Sequence, residues 1–264
     1  MTTETALVEK YGETLFALDA PERNRLTLLG EVFDPLSTAT LTRLGVGRSA
    51  RCLEVGAGTG SIARWLASQV PGGEVVATDL NEALLARLTG PNLVPLRHDV
   101  TVDPFPESSF DVIHARFVLS HLPGRLDVLR RMSSWLRPGG FLMFESFSWF
   151  PIDSSPHPAY RHAMQRWSEL ILSTIGTDSR WSRALPTVLA EYGLADVGAE
   201  TFTRHMRGGG PLAEFWWQTL RMSRRQLIDG GYLTTQQVLD VQRLLRDPGF
   251  WDLAPAVTQA WGRR

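Results

Sequence analysis

The 264-residue sequence predicts an α/β fold, an open parallel sheet wound by helices, with further helical segments before and after it. Three observations predict it. From about residue 50 to 150, short apolar runs alternate with longer stretches of helical spacing. Glycine- and proline-bearing turns punctuate that alternation, and a strand-like run enters a glycine-rich turn at "LEVGAGTGS" (53–61). Parallel strands connected through helices read as nearly continuous hydrophobic runs because both faces of their sheet are covered.

Taken in order, "PERNRLTLLGEVF" and "STATLTRLG" predict two helices in a polar lead. The predicted strands are "RCLEV", "EVVATD", "LVPLRHD", "FDVIHA" and "FLMFESF"; the helices between them are clearest in "SIARWLASQV", "NEALLARL" and "RLDVLRRMSSWL". Pro71-Gly72-Gly73, Gly90-Pro91 and Pro138-Gly139-Gly140 read as turns that close helices. Beyond this core, "YRHAMQRWSELILST", "ALPTVLAEYG", "EFWWQTLRMSRRQLI" and "TTQQVLDVQRLLRD" are helical in period. "LADVGAETFTRHM" and "APAVTQAWGRR" alternate partially and are read as late strands of the same sheet. The helical insertion between them, opened by Gly208-Gly209-Gly210, predicts a cap over the ligand edge of the sheet.

Bulk properties narrow the function. Hydrophobic residues make up 43% of the chain and the net charge is -1, so the protein folds into a globule with no overall field to attract a polyanion. The single cysteine, Cys52, excludes an intrachain disulfide and a cysteine-rich metal site, and reads as a small buried filler. The N-terminal "MTTETALVEKYGE" has acids where a signal peptide needs bases, and no run approaches the roughly 20 apolar residues of a membrane span. A soluble, cytoplasmic protein is expected. The six histidines, at 98, 114, 121, 157, 162 and 205, include no H-x-x-x-H pair, so no metal is expected.

The glycine loop separates the nucleotide classes. A dinucleotide fingerprint needs G-x-G-x-x-G/A, but the spacing here is G-x-G-x-G with Ser61 following; a phosphate loop needs a lysine after its last glycine. Glu54, just before the first glycine, would repel a pyrophosphate and tolerate a ligand bearing an ammonium and a sulfonium. Asp79 closes the second strand, where an acid suits a ribose diol, and Asp99 closes the third, where one accepts from an adenine amino group. Together they outline an adenosine without phosphates.

On these residues the chain resembles a class I S-adenosylmethionine-dependent methyltransferase. "LEVGAGTGS", "VVATDL" and "RHDV" match that family's glycine motif, ribose-binding strand end and adenine-side acid. "FDVIHARFVLSHLP" resembles its fourth strand and active-site segment, and "LRPGGFLMFE" its fifth strand. More loosely, the chain is similar to small-molecule enzymes of secondary metabolism of actinobacterial type. The resemblance implies a Rossmann-like, doubly wound, seven-stranded, mostly parallel sheet with an antiparallel C-terminal strand. It implies one structural domain: a helical lead (1–49), a cofactor-binding core (50–150), a helical insertion (151–193), and the last two strands with a cap at about 208–249 (194–264).

The resemblance also implies S-adenosyl-L-methionine as cofactor. Glu54, Gly56, Ala57, Gly58 and Gly60 would line its methionine side, Asp79 its ribose, Leu80 its adenine, and Asp99 with Val100 the adenine amino edge. Asp79 has an alternative as a helix N-cap, a role that Asn81 could equally fill. Ala115 and Arg116, after the fourth strand, belong where ligands gather at strand ends; Arg116 and Arg25 are candidates for the cofactor carboxylate, and Arg116 could instead pair with Glu54. His121 is the candidate base, or else a group that caps a helix or orients the cofactor; Glu145 is a candidate second contact for the acceptor, and His114 reads as packed inside its strand.

Trp149, Phe150, Trp167, Trp181, Phe215, Trp216 and Trp217 suggest an apolar pocket for a flat, hydrophobic small molecule, with core packing or a homodimer contact as the plainer reading. Methylation of RNA or protein is the alternative within the family, and a cofactor-binding protein without catalysis is the alternative outside it. Arg221, Arg224 and Arg225 read as a solvated helix face, and no nucleic-acid or membrane partner is expected.

Overall fold

Five apolar runs become the parallel strands β1 (Arg51–Val55), β2 (Glu74–Asp79), β3 (Leu93–Arg97), β4 (Phe110–Arg116) and β5 (Leu136–Ser148). The late alternating segments become β6 (Ala195–Phe202) and β9 (Ala256–Arg263). The sheet order is β3-β2-β1-β4-β5-β9-β6, and β9 runs antiparallel to both of its neighbours. This computed structural model describes residues 15, 16 and 20–264, so the acidic stretch 1–13 lies outside the described residues.

Helices cover both faces. On one side lie α1 (Ala20–Leu44), α2 (Ser61–Gln69) and α3 (Glu82–Leu85); on the other lie α4 (Arg125–Trp135) and α7 (Leu185–Glu191). Period-two alternation along the strands sorts the side chains between them. Leu53, Val55, Ile113, Ala115, Leu142 and Phe144 pack toward α4 and α7, while Cys52, Val112, Phe141 and Met143 pack toward α1 and α2. Cys52 is fully buried, which pushes its thiol up to about 12.

A third core joins α1 to α5 (Phe150–Asp153), α6 (Pro158–Ile175), α8 (Pro211–Met222), α9 (Arg224–Asp229) and α10 (Thr235–Leu244). The insertion between β6 and β9 stands on a two-stranded antiparallel ribbon that the sequence did not announce, β7 (His205–Arg207) with β8 (Trp251–Leu253). Three residues per strand are too few to show a period.

Local departures have local causes. The two helices expected in the lead are one helix that runs through Pro35; the missing N–H does not stop it, because Val32, Phe33 and Leu41 bury one face of it. The helix expected in "NEALLARL" lasts only four residues, since the chain must turn through Gly90-Pro91 to enter β3 at Leu93. Pro138-Gly139-Gly140 is not a turn after a helix. It lies within β5, where the pairing steps from Phe110–Leu136 to Val112–Phe141 and Gly139 has φ +81°. "EFWWQTLRMSRRQLI" breaks at Ser223, whose hydroxyl donates to the Thr219 carbonyl and accepts from Trp167 Nε1.

Candidate active site

The ends of β1, β2, β3 and β4 open into a cavity of about 530 Å³, closed above by α1, α6 and α8. Gly56, Gly58 and Gly60 all have positive φ (67°, 55° and 78°), a conformation costly for residues with a Cβ. The three differ in what surrounds them. A Cβ on Gly56 would meet Val118 Cγ2 at 2.4 Å and one on Gly60 would meet Leu88 Cδ2 at 2.0 Å, whereas one on Gly58 meets nothing closer than the Gly56 carbonyl at 4.0 Å. Gly58 therefore keeps ligand space open. Gly60 starts α2 and packs on Leu88, away from the cavity wall, so its service is to the turn.

Asp79, at the end of β2, accepts from the Gly58 N–H (2.9 Å) with one oxygen and from the Asn81 N–H (2.9 Å) with the other. It thus ties the glycine loop to the strand beside it. Burial pushes its carboxyl up, against the amides of Asn81, Gly58 and Leu80. The helix N-cap role falls to Asn81, which accepts from Ala83 and Leu84. Leu80 is 44% exposed on the cavity wall, an apolar surface without a protein partner large enough to cover it. Asp99 accepts from the Thr101 N–H and hydroxyl, and with Val100 it lines the far end of the same cavity.

Beneath the loop a buried row of polar groups crosses the sheet. His114 Nδ1 lies 2.7 Å from Glu54 Oε2 and its Nε2 lies 2.9 Å from Glu145 Oε1, all three residues being at most 3% exposed. Burial drives the imidazole toward neutrality, but the Glu54 charge and hydrogen bonds to Glu145 and Glu54 outweigh it and push His114 up to about 9. Burial also opposes ionisation of Glu145, yet hydrogen bonding and charge from His114, the charge of Arg116 and the Gln259 amide bring it below the usual carboxylate range.

Two expected positions need correction here. Glu145 does not reach the acceptor space, because its oxygens are held by His114 and by Gln259 Nε2 at 2.9 Å. Ala115 points into the core on the α4 side, one residue out of phase with His114 and Arg116. Because the folded-state pKa of His114 is raised, its charge contributes stability fully below about 6.5, and that contribution is lost as pH rises through about 9. Urea unfolding from pH 6 to 10 should show the stability gap between wild type and His114→Gln narrowing with pH; a constant gap would mean a neutral His114.

The two arginines are held by α1. Arg116 donates to Asp34 Oδ1 (2.8 Å) and Ser37 Oγ (2.9 Å), and Ser61 at the start of α2 donates to the same Asp34 oxygen (3.0 Å). Arg116 lines the cavity without pairing with Glu54. Arg25 is buried in a bidentate pair with Glu22, at 2.7 Å for each bond, beneath the rings of Phe16 and Phe215. Sequence reading missed Asp34, Ser37 and Glu22; their signal, polar residues at helical spacing on a partly apolar helix, is one that any surface helix shows.

His121 sits in a 3-10 turn, Leu119–His121, with Nδ1 2.7 Å from Thr177 Oγ1. Burial, with Arg25 and Arg125 adding to it, pushes the imidazole down to about 3, against a hydrogen bond with the Phe117 backbone. It is neutral across the neutral range. The same cavity has an aromatic wall: Phe117 stacks on Phe147 at 4.1 Å and 7°, and Trp149, Trp167, Phe215 and Trp216 line it as well. Phe117 holds φ +57° at the mouth of β4, strain of the kind stored at ligand sites. Of the other expected aromatics, Trp181 is buried beside α4 and α7, Phe150 is half-exposed, and Trp217 lies outside the cavity under Arg246 at 3.5 Å. Among the described residues, no group of His, Cys, Asp and Glu could hold a metal ion, and no helix is long and apolar enough to cross a membrane.

Known proteins are similar to parts of this chain. A family model for a methyltransferase domain matches residues 53–142. Methyltransferase str2 of Strobilurus tenacellus is 40% identical over 111 residues, covering 41% of this chain and 40% of that protein. The secondary metabolism regulator laeA of Gibberella zeae is 30% identical over 204 residues, 72% of this chain and 64% of that one. The chain thus spans less than two thirds of the length of either relative. In fold, phosphoethanolamine N-methyltransferase 2 of Haemonchus contortus, solved with phosphomonomethylethanolamine and S-adenosylhomocysteine, superposes with a TM-score of 0.59 at 15% identity, covering 92% of this chain and 57% of that one. The match over residues 53–142, with the glycine loop after β1 inside it, makes the chain similar to methyltransferases.

Proposed function

We propose that the protein transfers a methyl group from S-adenosylmethionine to an oxygen, nitrogen or carbon of a flat, hydrophobic small molecule. The observation that carries this reading is the continuity of one cavity, polar at the strand ends and aromatic beneath the cap. The residues fit the cofactor: the space above Gly58 is one that a Cβ would fill, and Glu54, Asp79 and Asp99 supply acceptors for ammonium, ribose diol and adenine amino group. Bound there, the cofactor supplies an electrophilic methyl on a sulfonium.

What the chain's own residues do is align and exclude water. The Phe117–Phe147 stack and the rings of Trp149, Trp167, Phe215 and Trp216 offer flat apolar walls to an acceptor. His121 has too little proton affinity to serve as a strong base, and it suits the orientation of an acceptor that arrives already nucleophilic. The relative named as a secondary metabolism regulator fits a setting in secondary metabolism. The basic cluster of the cap is engaged locally, with Arg221 over the Trp217 ring and Arg225 paired to Asp229, so no nucleic-acid partner is proposed.

Incubation with methyl-labelled cofactor and a panel of phenols, quinols and aromatic polyketide-like compounds tests the proposal. Label is expected in at least one small molecule, and not in bulk RNA or protein. Cofactor binding with no transfer across the panel would leave a binding protein without this activity. For His121→Asn, kcat is expected to fall about 10-fold while KM for the cofactor stays within about a factor of 2, the size of one lost orienting hydrogen bond. An unchanged kcat would remove His121 from the acceptor side.

A further inference from the structure

Glu54 is the cavity end of a longer row. His114, Glu145, Gln259 and Thr40 continue it across β4, β5 and β9 to α1, with steps of 2.7, 2.9, 2.9 and 2.7 Å. None of the five is more than 3% exposed, and Glu54 alone lines the cavity. We infer that this row is a positioning relay for the cofactor's amino-acid end: it commits one Glu54 oxygen inward, so that the other is presented to the cavity as an anion for an ammonium. The inference rests on the cofactor reading above.

Three features support a relay over ordinary packing. First, direction is fixed at every step. Both carboxylates only accept, so the Gln259 NH₂ must face Glu145 and its carbonyl must face the Thr40 hydroxyl, which leaves Glu54 one oxygen and one orientation. Second, charge is counted. An imidazolium between two carboxylates leaves a single net negative charge on the trio, which one arriving ammonium neutralises; Arg116, whose charge reaches Glu145, is already paired with Asp34. Third, the residues that precede the row on the same face of β1, β4 and β5 are apolar: Cys52, Val112, Phe141 and Met143. Hydrophobic residues in such places often stabilise a fold as well as a buried ion pair does, so stability alone is a weak account of an ionic row here.

Calorimetric titration with two ligands separates the possibilities. S-adenosylhomocysteine carries the ammonium; 5′-methylthioadenosine keeps the adenosine and thioether and lacks the amino-acid end. His114→Gln is expected to weaken S-adenosylhomocysteine about 10-fold or more and to leave 5′-methylthioadenosine within about 2-fold. Thr40→Val, at the far end of the row and off the cavity wall, should show the same selective loss at about 3-fold, and it carries the test should His114→Gln fail to fold. Equal losses for both ligands, or none for either, would overturn the relay. If wild type binds neither ligand, the cofactor reading itself falls, an outcome distinct from a wild type that binds both and variants that do not discriminate.

Discussion

Asp79→Ala is expected to weaken S-adenosylhomocysteine binding about 100-fold, equivalent to about 2.7 kcal/mol. Two losses combine in this figure. The carboxylate accepts from the Gly58 and Asn81 amides, so its removal frees the glycine loop where it must lie close to the ligand. It also removes the acceptor proposed for the ribose hydroxyls, and hydrogen bonds to charged groups contribute about 1.5–3 kcal/mol each. Asp79→Asn retains the shape and one acceptor oxygen, so a loss nearer 10-fold is expected for it. Calorimetry on both variants checks the ordering; equal affinity for Asp79→Ala and wild type would place the adenosine elsewhere.

Trp216→Ala should be the most damaging single truncation in the cap, lowering unfolding free energy by about 3–5 kcal/mol. The indole is 1% exposed and meets Phe147, Trp149, Trp167 and Phe215 at ring-centroid distances of 5.0–5.6 Å. At about 2–4 °C per kcal/mol for a chain near this size, Tm should drop by roughly 6–20 °C. Trp216→Phe should lose far less. Its Nε1–H is buried with no hydrogen-bond partner among the described residues, so exchange for an apolar ring removes an unsatisfied donor along with the lost contacts. A phenylalanine variant as unstable as the alanine one would overturn this expectation, since a phenyl ring keeps most of the indole's volume.

Much of the cofactor half was legible because its chemistry is local. Strand ends are marked by Glu54, Asp79 and Asp99, each within a few residues of the turn it serves, and glycine spacing follows from the φ values one loop must adopt. The same logic explains the misplacements. Gly60 answers to Leu88 and Glu145 answers to Gln259, partners 28 and 114 residues away that no local pattern reveals. His114 read as packed, and it is buried; what the strand pattern lacked was the register that sets it beside Glu54 and brings Glu145 within reach of its other nitrogen. Arg116 shows the limit most plainly. Its fate depends on Asp34 and Ser37, which face it only because α1 continues through a proline that local rules read as a boundary.

The ribbon of β7 and β8 has a consequence for how this protein changes over generations. Arg207 pairs with Trp251, and the Gly208 N–H donates to the Phe250 carbonyl at 2.9 Å, so the two ends of the α8–α10 segment meet at one seam. A segment whose entry and exit are neighbours can be exchanged for another of different length without moving the strands on either side. The half of the cavity that α8 walls can therefore be regrafted while the glycine loop stays as it is, which makes that wall a replaceable part on a constant chassis.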